Sequence, residues 1–265
     1  MCRLYGLRSK APLGVHEHLV GEANSLKAQS HEHKDGWGIA HYQKARVPRV
    51  HHGLQPAHAD PDFESASSTV SSRAVVAHLR LASVGSVTER NAHPFTYGAW
   101  TFAHNGTLLD FDDHRKAIEE RISPRFRALL KGDTDSERCF YLFLSRLTDL
   151  GAIHGHPGAA KVAKALALVT GELAQLTHRA GAEKPSSMNF LATNGDVMVA
   201  TRTRKSLFYS AAGAPTPGQK VDALVIASEA LSKDGPWHEI PESTAVGVEG
   251  DLVFRRWTLD ELRAA

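Results

Sequence analysis

The sequence predicts an α+β layered domain, and three observations carry that prediction. Short apolar segments broken by Gly, Pro and Asn dominate the first 105 residues, helical spacing governs the middle of the chain, and strand-like segments return after it. That order implies a sheet assembled from both ends of the chain. In the first part CRLYGL, GWGIAHY, AVVAHLRLA and WTFAHN read as strands. Apolar residues then recur three and four apart in DDHRKAIEERI, SERCFYLFLSRLTDL and GAAKVAKALALVTGELAQLTHRA, which predicts helices. MNFLAT and VMVATRT flank Asn194, Gly195 and Asp196 and read as a hairpin, and SLFYSA, ALVIASEAL and DLVFRRW read as further strands. The stretch AGAPTPGQK is linker-like in composition, yet it lies between two strands and is expected to join them within one domain.

At 265 residues and 42% apolar content the chain is long enough for one large domain or two small ones with a packed core. Its formal net charge is +2, so no general basic surface for nucleic acid or an anionic membrane is implied. No apolar stretch of signal-peptide type opens the chain, and runs such as ALALV are too short to cross a bilayer. A cytoplasmic protein is the expectation. Cys2 and Cys139 make no disulfide framework and are expected as thiols.

Cys2 stands directly behind the initiator methionine. Removal of Met1 would leave a thiol and a free α-amine on one carbon, and an α-amine with a pKa of about 7.7 to 8.0 is a base matched to working pH. The plainer reading is a buried cysteine packing as a small hydrophobe. Asn105-Gly106, flanked by apolar residues in WTFAHNGTLLDF, reads locally as a hairpin turn. The same pair also suits an oxyanion hole, with the Asn105 amide and the Gly106 N–H as donors. Arg80 ends an apolar strand, where either a solvated tip or bidentate capture of a carboxylate fits. Thr134-x-x-Glu137 is a capping box that starts the next helix, and Asp135 in its first turn is placed to receive an ammonium group. Cys139 falls on the apolar stripe of that helix and reads as core.

Sixteen histidines raise the question of metal. His16-Glu17-His18, His31-Glu32-His33 and His51-His52 lack the paired spacings of a committed site, so they read as solvated loops with no metal assigned. Gly36 and Gly38 around Trp37 resemble a phosphate loop only superficially, and tight packing of a turn is the expectation.

Taken in order, Met1-Cys2-Arg3, KDGWGIAHY, VVAHLRLASVG, NAHPF, WTFAHNGTL and DTDSE resemble the class II glutamine amidotransferases of the N-terminal nucleophile hydrolase superfamily. MNFLATNGDVMVATR, LVIASEAL and PWHEIP resemble its stand-alone branch, which includes the γ-glutamyl amidase of ergothioneine biosynthesis. The resemblance implies a four-layer αββα sandwich and one glutamine amidotransferase domain over residues 1–265. It also implies catalysis by Cys2 through a γ-glutamyl thioester, with Asn105 and Gly106 holding the oxyanion. Arg80 would bind the substrate α-carboxylate and Asp135 the α-ammonium, and Ser83, where relatives often carry threonine, would join them in binding the substrate. No metal or organic cofactor is needed.

Only about 160 residues follow Gly106, most of them needed to complete the sandwich, so no fused synthase domain is expected. The leading reading is therefore a hydrolase of glutamine or another γ-glutamyl amide, acting on a small molecule. The alternatives are a glutaminase subunit that delivers ammonia to a separate synthase, and a non-catalytic or metal-binding protein on the same fold. Specificity for the leaving amine is placed near Trp37, Phe95 to Tyr97, and Ser228-Glu229.

Overall fold

Alternation along the opening segment sets the architecture. Leu4 belongs to one apolar cluster while Tyr5 and Leu7 belong to another, so the first strand is covered on both faces. A computed structural model describes residues 2–43, 46–179, 181, 185–211, 215–233 and 235–265. In chain order the strands of the first half are β1 (Arg3–Gly14), β2 (Trp37–His41), β3 (Arg49–Gly53), β4 (Ser71–Leu79), β5 (Phe95–Tyr97) and β6 (Trp100–Thr107). Those of the second half are β7 (Ser187–Thr193), β8 (Met198–Arg202), β9 (Phe208–Ala211), β10 (Ala223–Ala227), β11 (Trp237–Glu239), β12 (Thr244–Val248) and β13 (Phe254–Thr258). The helices are α1 (Leu26–Gln29), α2 (Pro61–Thr69), α3 (Phe111–Arg121), α4 (Pro124–Arg127), α5 (Asp135–Asp149), α6 (Ala159–Leu176) and α7 (Leu259–Ala264).

Two antiparallel sheets result. The first runs β11-β9-β10-β1-β4-β2-β3 and the second β13-β12-β8-β7-β6-β5, so each combines strands from both halves of the chain. The inner cluster between them joins Leu4, Val76, Leu224 and Ile226 of the first sheet to Ala103, Leu191, Met198 and Val246 of the second. Outside the second sheet, Phe102, Phe190 and Val199 pack with residues of α3, α5, α6 and α7. Outside the first, Tyr5, Ile39, Val75 and Ala77 pack with Leu26 of α1 and Phe63 of α2. This is the expected αββα layering, with one thick and one thin helical layer.

The expected strands and helices recur at the expected places, and the Asn194 to Asp196 turn joins β7 to β8. Asn194 Oδ1 accepts from the N–H groups of Asp196 and Val197, and Gly195 takes a φ of +88°. Part of the AGAPTPGQK segment lies outside the described residues, and what is described leads from β9 into β10. Four further strands were not read from the sequence: β5 and β11 have only three residues each, too few for alternation to show, β12 is buried at every position and so does not alternate, and β3 is largely polar.

The Asn105-Gly106 turn expectation is corrected. Both residues lie inside β6, where Asn105 pairs with Asn189 and Gly106 with Met188. Glycine is required here by close approach, because a Cβ on Gly106 would stand 1.9 Å from the Ser187 carbonyl oxygen. The solvated-loop reading of the histidine motifs is corrected too: His51 and His52 lie in β3, His33 is buried, and His18 Nδ1 bonds the Tyr5 hydroxyl at 2.8 Å. Around Trp37 the packing expectation stands. A Cβ on Gly38 would meet the His93 carbonyl oxygen at 2.1 Å.

Candidate active site

Strand parity gathers polar side chains at one end of the gap between the sheets. On β1 the inner-facing Leu4 is preceded, two residues earlier, by Cys2. On β4, Val76 faces inward and the parity continues through His78 to Arg80. On β10 it runs through Leu224 and Ile226 to Ser228, and on β6 through Ala103 to Asn105. Contacts across the gap agree with this count: His78 Nε2 lies 3.3 Å from the His104 carbonyl oxygen, and Asn105 Nδ2 donates to Ser228 Oγ at 3.0 Å.

The Cys2 thiol sits against the backbone just after β4, with the Leu81 N–H donating to Sγ at 3.5 Å and Sγ donating to the Leu81 carbonyl at 3.6 Å. Burial pushes the thiol up, the Leu81 N–H and Arg80 pull it down, and the Asp135 carboxylate adds to the rise. A thiol so placed needs a base within reach before it can attack. Met1, whose removal the sequence reading requires, lies outside the described residues.

Arg80 is not a solvated tip; it is only 4% exposed. Its guanidinium donates to the carbonyls of Val84 at 3.1 Å, Gly85 at 3.1 Å and Ser86 at 2.9 Å, which leaves two of its five N–H donors. Burial lowers its pKa, while Cys2, Asp35 and Asp135 raise it. Asp135, 3% exposed, accepts from the Leu108 N–H through Oδ2 at 2.9 Å and from the Ser136 N–H through Oδ1 at 2.8 Å. Among the described residues, neither Arg80 nor Asp135 has an oppositely charged side chain within 4.0 Å. Two buried charges of opposite sign thus lack ion partners, a costly arrangement that a zwitterionic ligand would relieve.

Asn91 couples the two charged groups. Its Nδ2 donates to the Ser86 carbonyl beside Arg80 at 2.9 Å, and its Oδ1 accepts from the Asp133 N–H two residues before Asp135 at 2.9 Å. Half of the expected capping box is present: Thr134 Oγ1 accepts from the Glu137 N–H at 3.2 Å. The Glu137 carboxylate instead accepts from the N–H groups of Lys131 and Gly132 at 2.8 and 2.9 Å, which tightens the turn leading into α5. Ser83 is exposed, and its hydroxyl bonds that of Thr107 at 3.0 Å at the end of β6.

Two of the three expected specificity positions are corrected. Trp37 is buried in the outer core of the first sheet and donates to Asp60 Oδ2 at 2.8 Å, while Phe95 stacks on Phe140. The third, Ser228-Glu229, does adjoin the nucleophile: Glu229 Oε1 lies 3.4 Å from Arg3 Nη2. Sequence reasoning did not single out Asn91, His78 or His104. For His78 and Ser228 a signal exists in the strand parity of AVVAHLR and ALVIAS. Among the described residues no three His, Cys, Asp or Glu side chains form a group that would hold a metal ion, and no helix is long and apolar enough to cross a membrane.

Comparison with known proteins agrees with the geometry. Over 98% of its length the chain is 26% identical to a probable glutamine amidotransferase, DUG3, of Saccharomyces cerevisiae, covering 85% of that protein. It is likewise 26% identical, over 94% of its length, to the γ-glutamyl-hercynylcysteine sulfoxide hydrolase of Mycobacterium tuberculosis, covering 93% of it. A solved class-II glutamine amidotransferase domain protein from Silicibacter pomeroyi superposes with a TM-score of 0.69 at 21% identity, over 97% of this chain and 99% of that one, which shows a shared fold. The family model for class-II glutamine amidotransferases matches residues 1–220, and the chain belongs to that family of enzymes.

Proposed function

We propose that the protein hydrolyses a γ-glutamyl amide, glutamine or a γ-glutamyl conjugate, through a thioester on Cys2. The observation that carries this is the pair of buried, unpaired charges beside the thiol. A γ-glutamyl group ends in an α-carboxylate and an α-ammonium, which match Arg80 and Asp135 in sign and number. Membership of the amidotransferase family and the similarity to a γ-glutamyl hydrolase support the same substrate class.

Once Met1 is removed, the α-amine of Cys2 takes the thiol proton and the sulfur attacks the γ-carbonyl carbon. The tetrahedral oxyanion is held by Asn105 and the Gly106 N–H. On collapse the C–N bond breaks, and the leaving amine takes the proton from the α-ammonium of Cys2. Water then adds to the thioester, releasing glutamate and restoring the thiol. Ser83, whose hydroxyl bonds that of Thr107 at the end of β6, joins Arg80 and Asp135 in binding the substrate. The reading treats residues 1–265 as one domain, a view supported by β12 and β13 completing the second sheet beyond residue 220. A thiol nucleophile suits the reducing cytoplasm.

The test is the intact mass before and after exposure to a glutamine-mimicking diazoketone. Loss of Met1 and one adduct, absent from Cys2→Ala, are expected. A processed chain that takes up no label and releases no glutamate overturns the reading. Turnover of glutamine without any partner separates a hydrolase from an ammonia-donating subunit, since a subunit of that kind is slow alone and accelerates with its synthase.

A further inference from the structure

One hydroxyl joins three strands at the site. Ser228 Oγ accepts from the Leu4 N–H at 2.9 Å, and the Ser228 N–H donates to the Leu4 carbonyl at 3.0 Å, so Ser228 grips the nucleophile strand two residues from Cys2. The same oxygen lies 3.0 Å from Asn105 Nδ2 on the other sheet. Yet Asn105, 3% exposed, leaves its Oδ1 buried with no hydrogen-bond partner.

Donor counting points to a better arrangement. A serine hydroxyl has one proton to give and two lone pairs to receive. With Nδ2 directed at it, Ser228 Oγ receives from both Leu4 and Asn105 while Oδ1 is orphaned, an expensive state for a buried acceptor. Rotating the Asn105 amide by half a turn exchanges its two ends, which are nearly equal in size. Oδ1 then accepts the Ser228 proton, and Nδ2 takes the position of the orphaned oxygen with both its N–H donors unclaimed by Ser228.

We propose that Ser228 is the positioning residue of the oxyanion hole: by donating to Asn105 Oδ1 and accepting from Leu4, it holds the Asn105 NH2 toward the cleft in register with the nucleophile strand. This rests on the γ-glutamyl hydrolase reading above. The donors have no full use until the carbonyl oxygen becomes an oxyanion, so the arrangement favours the transition state over the bound substrate. Glutamate, bound through its α-groups at Arg80 and Asp135, does not depend on it.

Two measurements test the proposal. Neutron diffraction from deuterium-exchanged crystals is expected to show a deuteron on Ser228 Oγ directed at Asn105, and the two amide deuterons on the side away from Ser228. Amide deuterons directed at Ser228 overturn it. In kinetics with glutamine, Ser228→Ala is expected to lower kcat at least 10-fold while the glutamate inhibition constant stays within about 2-fold. Ser228→Thr, which keeps the hydroxyl, is expected to recover most of kcat. An alanine variant with wild-type kcat, or a threonine variant as impaired as alanine, overturns the positioning role. A wild-type protein inert toward γ-glutamyl amides removes the functional reading, and the neutron map still decides the orientation of the amide.

Discussion

The surroundings of Cys2 and of Cys139 are built on opposite plans. Cys139 lies in α5 within the apolar cluster that holds Phe102, Phe140 and Phe143, fully buried, and burial pushes its thiol well above the usual range. Cys2 lies where the inner faces of both sheets turn from apolar to polar, with the Leu81 backbone, Arg80 and Asp135 acting on it. Burial raises both thiols, so ease of ionisation does not distinguish them. What distinguishes them is polar company: among the described residues, Cys2 has the buried Arg80 and Asp135 charges acting on it, and Cys139 lies among aromatic and aliphatic side chains.

The strongest way to break this comparison is to remove each sulfur in turn. Cys2→Ala is expected to reduce glutamate release at least 10³-fold with little change in melting temperature. Cys139→Ala is expected to retain turnover and lose about 1 kcal/mol of stability in urea titrations, as for other small deletions from a packed core. Equal losses of activity in both variants would end the distinction.

Next in size are the two unpaired charges. Arg80→Gln and Asp135→Asn are each expected to lower kcat/KM for glutamine about 10²-fold. Kinetics with γ-aminobutyramide, which lacks the α-carboxylate, sharpens the assignment, because Arg80→Gln should barely change its already poor turnover. An undiminished penalty with that compound would mean that Arg80 acts only by holding the carbonyls of residues 84 to 86.

A third prediction concerns the histidines behind the cleft. Burial lowers the pKa of His78 to about 3, and lowers those of His93 and His104 as well. These rings are neutral in the fold, whereas the unfolded chain protonates them near pH 6.5, so between those values the unfolded state binds more protons. Stability is therefore complete above about pH 6.5 and is lost as pH falls toward the folded values. The slope is up to about 1.4 kcal/mol per pH unit for each ring. Urea titrations between pH 7 and pH 5 check this, and a flat profile would show that the folded rings take up protons as readily as the unfolded ones.

The smallest effect belongs to the helix that carries Asp135. Thr134→Ala removes the cap of α5 and is expected to cost about 1 kcal/mol, measured by chemical denaturation. A concurrent rise in KM for glutamine would tie the cap to substrate binding.

Legibility followed the range of the interactions. Alternation in CRLYGL, AVVAHLR and ALVIAS, and the three-four spacing in the helices, reflect neighbours in sequence, and those elements were readable from the residues alone. Asn105-Gly106 was misread as a turn because the local signal for positive φ is the same glycine that the Ser187 carbonyl demands from across the sheet. Histidines read as solvated were claimed by β3 and by partners such as Tyr5 and Gln29.

By itself, then, the sequence determined the layering and the family, and it pointed to Cys2, Arg80, Asn105, Gly106 and Asp135 as the candidates for catalysis and substrate binding. Only the tertiary structure decided that the Cys2 thiol rests on Leu81, that Arg80 and Asp135 are buried without ion partners, and that Ser228 meets both Leu4 and Asn105. The physical reason is separation along the chain. Cys2 and Leu81 are 79 residues apart, Asn105 and Ser228 are 123, and Leu4 and Ser228 are 224, so no local pattern records which side chains share a lone pair or a proton.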